Sequence, residues 1–325
     1  MKYVRIGNSG LEVSGVCLGC MTFGEPERGG PKWSIDEDQS RSIIRSALEK
    51  GINFLDTANI YSNGSSEEIV GRAIREFANR DEIVLATKLN APMRDGPNAK
   101  GLSRKAIMQE IDHSLRRLGT DYIDLYQIHR WDPVTPIEET LEALTDVVKA
   151  GKARYIGASS MHAWQFAKAL YLSDRKGWSR FISMQNHYNL LNREEEREMI
   201  PLCAAEGVGL IPWSPLARGL LAREAGHESR RNGNDFLNDR LYGETEAADG
   251  RVIDAVAEVA SRHGVPRAQI ALAWVMSNPA VTAPIVGASR ESQLDDAVAA
   301  MSINLSDEDV AALTEHYVPH KVVGF

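Results

Sequence analysis

Three short apolar runs of this chain end in, or lead into, residues that could move protons. INFLDTA (52–58) carries Asp56, with Tyr61 five residues further on; EIVLATK (82–88) ends in Lys88; YIDLYQIH (122–129) ends in His129. Singly, each has an ordinary role: Asp56 as a turn cap, Lys88 as a side chain snorkelling to solvent, His129 as a hydrogen-bonded core residue. As a set they suit one chemistry. Reducing a carbonyl takes a hydride donor and a proton for the developing alkoxide. A phenol with a free pKa of about 10 is a poor acid or base near neutrality. A buried ammonium beside it favours the phenolate and is expected to lower that pKa, and a carboxylate fixes the ammonium. Tyr61, Lys88 and Asp56 supply those parts, and His129 can orient the carbonyl oxygen. A general acid of this kind contributes a factor of roughly 10²–10⁴. Lys88 at a strand end would also serve a Schiff-base lyase, although Asp56, by favouring the ammonium, argues against it.

The elements that must position these residues alternate along the whole chain. Strand-like runs occur at 16–19, 52–58, 82–88, 122–129, 153–159, 181–187, 207–213 and 283–289. Amphipathic segments lie between them at 36–50, 66–79, 103–118, 136–150, 162–176, 194–206, 250–263 and 291–301. Gly51, Gly119, Gly151 and Gly207 follow helical segments, where a left-handed residue belongs, and Ser65 with Glu68 can form a capping box. This pattern predicts a (β/α)8 barrel of the TIM type, a single domain over residues 1–325. A doubly wound open sheet would call for G-x-G-x-x-G after an early strand, which is absent. Residues 1–15 read as a hairpin around Asn8-Ser9-Gly10, placed to close the barrel bottom. Residues 222–249 read as a long polar loop over the cofactor and active site, and 302–325 as an extra C-terminal helix and tail. Cys17 and Cys20 spell C-x-x-C, but they fall in a strand where residues three apart point to opposite faces.

At 43% hydrophobic, 25% charged and 7% aromatic residues, the 325-residue chain has a globular composition. Its net charge of −8 offers no basic field for nucleic acid or anionic lipid. No apolar leader core and no run of about 18 apolar residues occurs, so secretion and membrane spanning are not expected. Three cysteines suit a reducing cytosol. The expected setting is the cytoplasm and the expected partner a small carbonyl compound; no metal is expected, and a monomer is compatible with the sequence.

The stretch DTANIYSNGSSE (56–67), Lys88 after its strand and QIHR (127–130) resemble the aldo-keto reductase superfamily. YIGASSM (155–161), SMQNHYNLL (183–191), WSPLARGLL (213–221) and IVGASRESQLDD (285–296) match it in the same order. CLGCMTFGEP, QIHRWD, GKARYIGASSMHA and the closing VVGF most resemble its bacterial YajO-like branch. The resemblance implies that Tyr61 is the proton donor, completed by Asp56, Lys88 and His129, and that a dinucleotide lies over the barrel mouth without a Rossmann domain. Barrels often hold phosphate at the loops after strands 7 and 8, here rich in hydroxyls, backbone N–H groups and the arginines Arg218 and Arg290. By the resemblance Trp213 stacks on the nicotinamide, and Ser159 and Gln185 hold its carboxamide. Ser214, Pro215, Leu216, Arg218 and Gly219 cradle the pyrophosphate, and Gly287, Ser289, Arg290 and Gln293 meet the adenosine end. Met21 and Thr22 complete the candidate cofactor set. Arg290 beside Ser289 suits a 2′-phosphate, which favours NADP(H) over NAD(H). Two positions depart from the family pattern: Ser160 stands where asparagine is common, and Ala297 stands at a common adenine-side asparagine. Phe23, Trp33, Asn90, Trp131 and Asp132 are candidate walls of the substrate pocket, and 222–249 and the tail 317–325 are candidate covers. Some relatives of the superfamily act as nicotinamide-binding subunits with little turnover, a reading the intact tetrad leaves open.

Overall fold

The computed structural model describes residues 1–223, 236–243 and 245–323. The chain opens with an antiparallel hairpin, β1 (Tyr3–Arg5) and β2 (Glu12–Ser14). Parallel strands then follow in sequence order: β3 (Cys17–Gly19), β4 (Phe54–Asp56), β5 (Val84–Leu89), β6 (Ile123–Ile128), β7 (Ala153–Ser159), β8 (Phe181–Gln185) and β9 (Gly209–Leu210). The last, β10 (Ile285–Gly287), pairs with β3. On its other side the Ile285 N–H donates to the Pro212 carbonyl at 2.9 Å, and Thr282 N–H to Leu210 at 2.7 Å. These bonds close the sheet into a (β/α)8 barrel.

The helices are α1 (Glu37–Glu49), α2 (Ser65–Phe77), α3 (Arg104–Leu118), α4 (Ile137–Lys149), α5 (Ala163–Lys176), α6 (Met199–Glu206), α7 (Phe236–Tyr242), α8 (Glu246–His263), α9 (Arg267–Ser277), α10 (Glu291–Ala300) and α11 (Asp307–Thr314). Asp36, Ser103 and Ser306 cap α1, α3 and α11 by accepting first-turn N–H groups. Gly51, Gly119, Gly151 and Gly207 all take positive φ, as their places after helices require. The capping box at Ser65 and Glu68 does not form. Ser65 Oγ instead donates to the Ser62 carbonyl and accepts from Glu25 N–H, while Glu68 takes a two-pronged bond from Arg28 at 2.7 and 2.9 Å. A guanidinium is a stronger partner for a carboxylate than a backbone amide.

Two helices differ from the sequence expectation. Residues 222–249, read as one irregular loop, contain α7 and the first residues of α8, with 224–235 and 244 outside the described residues. The helix α9 has no amphipathic signature because Ile270 to Val275 are buried in succession. A helix covered on every side leaves no polar face to reveal its period.

Strand parity divides the barrel. One set of side chains, including Leu18, Leu55, Leu85, Tyr126, Ile128, Ile156 and Met184, faces outward under the helices in the large core. The opposite set, including Cys17, Phe54, Val84, Ala86, Leu125 and Ile211, fills the lower barrel interior together with Ile6 and Val13 of the hairpin region. The hairpin is fixed there: Asn8 N–H donates to Gly207 O at 2.8 Å and Ser14 N–H to Asn53 Oδ1 at 2.7 Å, both just before the amino ends of barrel strands. Cys17 lies in the inner set and Cys20 in the outer one, so the C-x-x-C cysteines are separately buried and unbridged.

Helices α2 and α3 pack tightly at Gly71, where an added Cβ would stand 2.1 Å from the carbonyl oxygen of Leu118 at the end of α3. Gly71→Ala is expected to destabilise the fold by about 1–3 kcal/mol through this overpacking. A denaturant midpoint equal to that of the parent would show that the two helices can separate without cost.

Candidate active site

On β4, β5 and β6 the inward parity continues upward from the apolar floor and changes chemistry. Phe54 leads to Asp56, Ala86 to Lys88, and Leu125 to Gln127 and then His129. Period-two alternation therefore aims these polar side chains into the barrel mouth. Lys88 Nζ donates to Asp56 Oδ1 at 2.5 Å, to the Thr57 carbonyl at 2.8 Å and to Tyr61 Oη at 3.1 Å. The Tyr61 and His129 rings meet edge to face with centroids 5.8 Å apart.

Tyr61 is held by a strained turn. Ser62, Asn63 and Gly64 take left-handed conformations in succession, with φ of 46°, 49° and 90°. Such backbone persists only when its surroundings enforce it. Here the Ser62 side chain is wedged against Gly24, where a Cβ would lie 2.1 Å from its Oγ. The Thr57 and Asn59 N–H groups bond to Ala86 and Lys88 carbonyls, strapping the loop to β5.

Burial sets the protonation states. The Tyr61 phenol lies above its ordinary range: loss of solvation raises it more than the Lys88 ammonium lowers it, and Asp56 opposes Lys88 further. This corrects the sequence expectation of a lowered phenol, because the carboxylate that fixes the ammonium also cancels much of its field. Burial pulls the Lys88 amine down, but Asp56 and then Tyr61 more than restore it, so it stays cationic. A lysine so protonated, with each of its three donors engaged, is unsuited to Schiff-base attack. Burial, with the charges of Lys88 and Arg130, holds His129 well below its usual value and hence neutral.

The sequence reading missed what holds Asp56. Its Oδ2 accepts from Gln127 Nε2 and from Gln185 Nε2, both at 2.9 Å. Parity was the available signal, since Gln127 lies two residues before His129 and must share its face. Ser159 Oγ donates to the Gln185 carbonyl at 2.8 Å and is fully buried. Gln185 thus points to the Asp56 network with Nε2 and retains Oε1 as an acceptor.

A cavity of about 990 Å³ starts at Asp56, Tyr61 and His129 and runs over the mouth to Arg290, Gln293 and Asp296. Met21, Thr22, Gln185, Trp213, Ser214, Pro215, Leu216, Arg218, Gly219, Gly287, Ser289, Arg290 and Gln293 all line it. Ser159 does not, because its hydroxyl is turned to the Gln185 backbone. Ser214, Ala217, Arg218 and Gly219 all have positive φ, which folds the loop after β9 into a concave turn. Gln293 Oε1 accepts from Ser289 and Arg290 N–H, so this side chain organises the start of its own helix. Ala297 is buried in the core, and Asp296 beside it reaches the cavity.

Of the expected substrate walls only Trp33 lines the cavity. Phe23 is buried in the core, and Trp131 packs against Trp164 at 6.4 Å. Asn90 Nδ2 donates to the Arg130 carbonyl, and Asp132 staples its own loop through Leu102, Val134 and Thr135. Each of these four side chains finds a partner inside the protein, which turns it from the mouth. Ala222 and Arg223 are the described cavity residues of the 222–249 segment. The tail is held at Glu194, through Tyr317 Oη and His320 N–H, and at Asp249 through His320; no described residue of 317–325 lines the cavity.

Trp213 forms one wall with a supported ring. Its indole lies flat on His187, centroids 4.1 Å apart and planes within 7°, and its Nε1–H donates to Ser160 Oγ at 3.1 Å. The unusual Ser160 thus steadies this indole. His187 Nε2 pairs with Tyr242 Oη of α7 at 2.8 Å, and Asn189 Nδ2 donates to Tyr242 Oη and to the Ser214 carbonyl. Burial first, then the charges of Arg218, His320 and Arg130, lower His187 to about 3.

A model of the aldo/keto reductase family matches residues 15–318. The chain belongs to that family. A versiconal hemiacetal acetate reductase of Aspergillus parasiticus is 45% identical over 99% of this chain and 98% of its own length. A putative aryl-alcohol dehydrogenase of Schizosaccharomyces pombe is 44% identical over 99% of this chain and 97% of its own. Another, of Saccharomyces cerevisiae, is 39% identical over 99% and 98%. These aldo/keto reductase relatives are fungal, and so do not favour the bacterial branch suggested by the short motifs. The family makes this chain an oxidoreductase of carbonyl compounds that works with a nicotinamide cofactor. Among the described residues no helix is long and apolar enough to cross a membrane.

Neutral burial of His129 and His187 has a measurable sign. Their folded-state pKa values lie below the unfolded value, so the unfolded chain takes up more protons on acidification and stability falls as pH drops below about 6.5. His320, whose pKa is raised by Asp249 despite burial, acts in the opposite sense near pH 6.5, where its unfolded form is half protonated, and adds little slope well below that value. Each buried neutral histidine is expected to cost about 1.5 kcal/mol between pH 6.5 and 5. Glu195, which burial and then Glu194 raise to about 8, adds stability of similar size over the same interval. Urea midpoints of Glu195→Gln that stay level over this interval would refute neutral burial.

Proposed function

We propose that this protein reduces aldehydes or ketones to alcohols with NADPH, with Tyr61 as proton donor. The observation that carries the reading is the chain of contacts from Tyr61 Oη through Lys88 Nζ to Asp56, set at one end of a cavity long enough to continue to Arg290. The donor set fits the cofactor. The open side of Trp213, backed by His187, suits the nicotinamide ring, and Gln185 Oε1 can accept from its carboxamide. The turn at Ser214–Gly219 with Arg218 suits the pyrophosphate, and Ser289 and Arg290 at the start of α10 suit a 2′-phosphate. When bound, the nicotinamide supplies the hydride. Tyr61 gives its phenolic proton to the carbonyl oxygen, which neutral His129 orients by a hydrogen bond. Lys88 stabilises the phenolate left behind, while Asp56, clamped by Gln127 and Gln185, keeps the ammonium in place. Because the phenol is protonated near neutrality, Tyr61 is in the form that can donate a proton to the carbonyl oxygen there. Kinship with the YajO-like branch belongs to this same reading and rests on the short runs quoted from the sequence.

Tyr61→Phe is expected to lower NADPH-dependent aldehyde reduction by roughly 10²–10⁴ while leaving quenching of tryptophan fluorescence by NADPH intact. Reduction at the parental rate would remove Tyr61 from the proton-donor role. For the cofactor, titration should show tighter binding of NADPH than NADH, and Arg290→Ala should narrow the gap by about tenfold or more. Equal affinities in the parent protein would reverse the NADP assignment.

A further inference from the structure

Arg130 follows His129 directly and lines the cavity beside Tyr61 and Trp213. It is half-buried, with its guanidinium carbon 6.0 Å from the Trp213 ring centre. Its position is fixed from two sides: Asn90 Nδ2 donates to its carbonyl at 2.8 Å, and its own Nη1 donates to the His129 carbonyl at 2.6 Å. That bond uses one of five guanidinium donors. No described carboxylate lies within ion-pair distance of it. The nearby cavity carboxylate, Asp56, is already saturated by Lys88, Gln127 and Gln185, and Asp296 accepts from Gln269 at 2.8 Å. A second cation, Arg240 of α7, lies within electrostatic range. Burial above all, with Arg240 adding to it and Tyr61 opposing, depresses the Arg130 pKa. Withdrawing a cation from water without a counter-charge is costly, and a cavity ligand is the partner whose anion would offset that cost.

We infer that Arg130 is a specificity-determining residue that pairs with an anionic group on the carbonyl substrate, so that preferred substrates are aldehydes or ketones bearing a carboxylate or a similar anion. This rests on the carbonyl-reducing function proposed above and narrows it. Trp33 and Ile60 add apolar surface to the same cavity, which suits a substrate with a partly apolar body. A planar guanidinium binds a carboxylate bidentately, giving direction as well as charge.

The test compares 2-, 3- and 4-carboxybenzaldehyde with their neutral methyl esters in the NADPH-loaded protein, in the parent and in Arg130→Met. At least one acid is expected to exceed its ester by tenfold or more in kcat/KM, mainly through KM, and Arg130→Met is expected to collapse that ratio. A binding measurement runs beside it: calorimetric titration of benzoate against benzamide into the NADP⁺-loaded protein, where benzoate should bind more tightly and lose that advantage in the variant. Acid-to-ester ratios near one at all three positions in the parent, or ratios that survive the substitution, would overturn the inference while leaving carbonyl reduction standing. An Arg130→Met protein that binds NADPH more weakly and slows acids and esters alike would assign Arg130 to the cofactor and overturn it as well. If none of the aldehydes, charged or neutral, oxidises NADPH, the reductase reading falls. The anion site then stands only if benzoate binding still depends on Arg130.

Discussion

The site depends on one ion pair kept out of water. Lys88 has no exposed surface and Asp56 almost none. Burying such a pair is unfavourable unless every remaining donor and acceptor is met. That condition is satisfied here. The ammonium has three acceptors, and the carboxylate takes the ammonium on one oxygen and two amide donors on the other. One of the three acceptors is Tyr61 Oη, so the phenol is part of what makes the buried charge tolerable. The pair cannot shift without leaving a charge uncompensated, and this fixes the phenol's oxygen relative to the barrel axis.

The same arrangement decides how far the phenol's acidity moves. A lone ammonium in a dry pocket would pull a phenol's pKa down strongly. An ammonium already neutralised at 2.5 Å acts more weakly at the phenol 3.1 Å away, and desolvation of the phenolate prevails. Lys88 therefore does not ionise Tyr61 in advance. In the proposed reduction it would lower the energy of the phenolate that forms once the proton has gone, a stabilisation present in the transition state and largely absent before it.

The barrel and the four candidate residues could be read from sequence because both follow from strand periodicity, and seven of the eight strands lie inside the runs marked from sequence, β5 passing its run by one residue at Leu89. What escaped detection involved partners distant in the chain. Gln185 meets Asp56 across 129 positions, and Tyr242 meets His187 across 55; no local pattern announces such pairs. Phe23, Asn90 and Trp131 were plausible pocket walls by type and place. Yet the core, the Arg130 carbonyl and Trp164 compete for them, and those contacts are visible only in three dimensions. The helix α9 was hidden for the opposite reason, being so evenly buried that it carries no periodic signal.

Gln185 joins the two halves of the mouth. Its Nε2 steadies Asp56 on the β4 side, while its carbonyl takes both Ser159 Oγ–H and Ser160 N–H at the end of β7. Ser160 in turn holds the Trp213 indole, whose other support, His187, lies two residues after Gln185. The Tyr61 cluster and the flat indole wall are thus referred to the same short stretch of β8. Placing an acid and a hydride source on either side of a carbonyl demands sub-ångström agreement between them, and a shared strand end secures it more directly than two independently anchored loops. The strained residues Ser160, Ser214 and Arg218, all at positive φ, lie around this junction, where the surrounding bonds are dense enough to enforce conformations that a free loop would abandon.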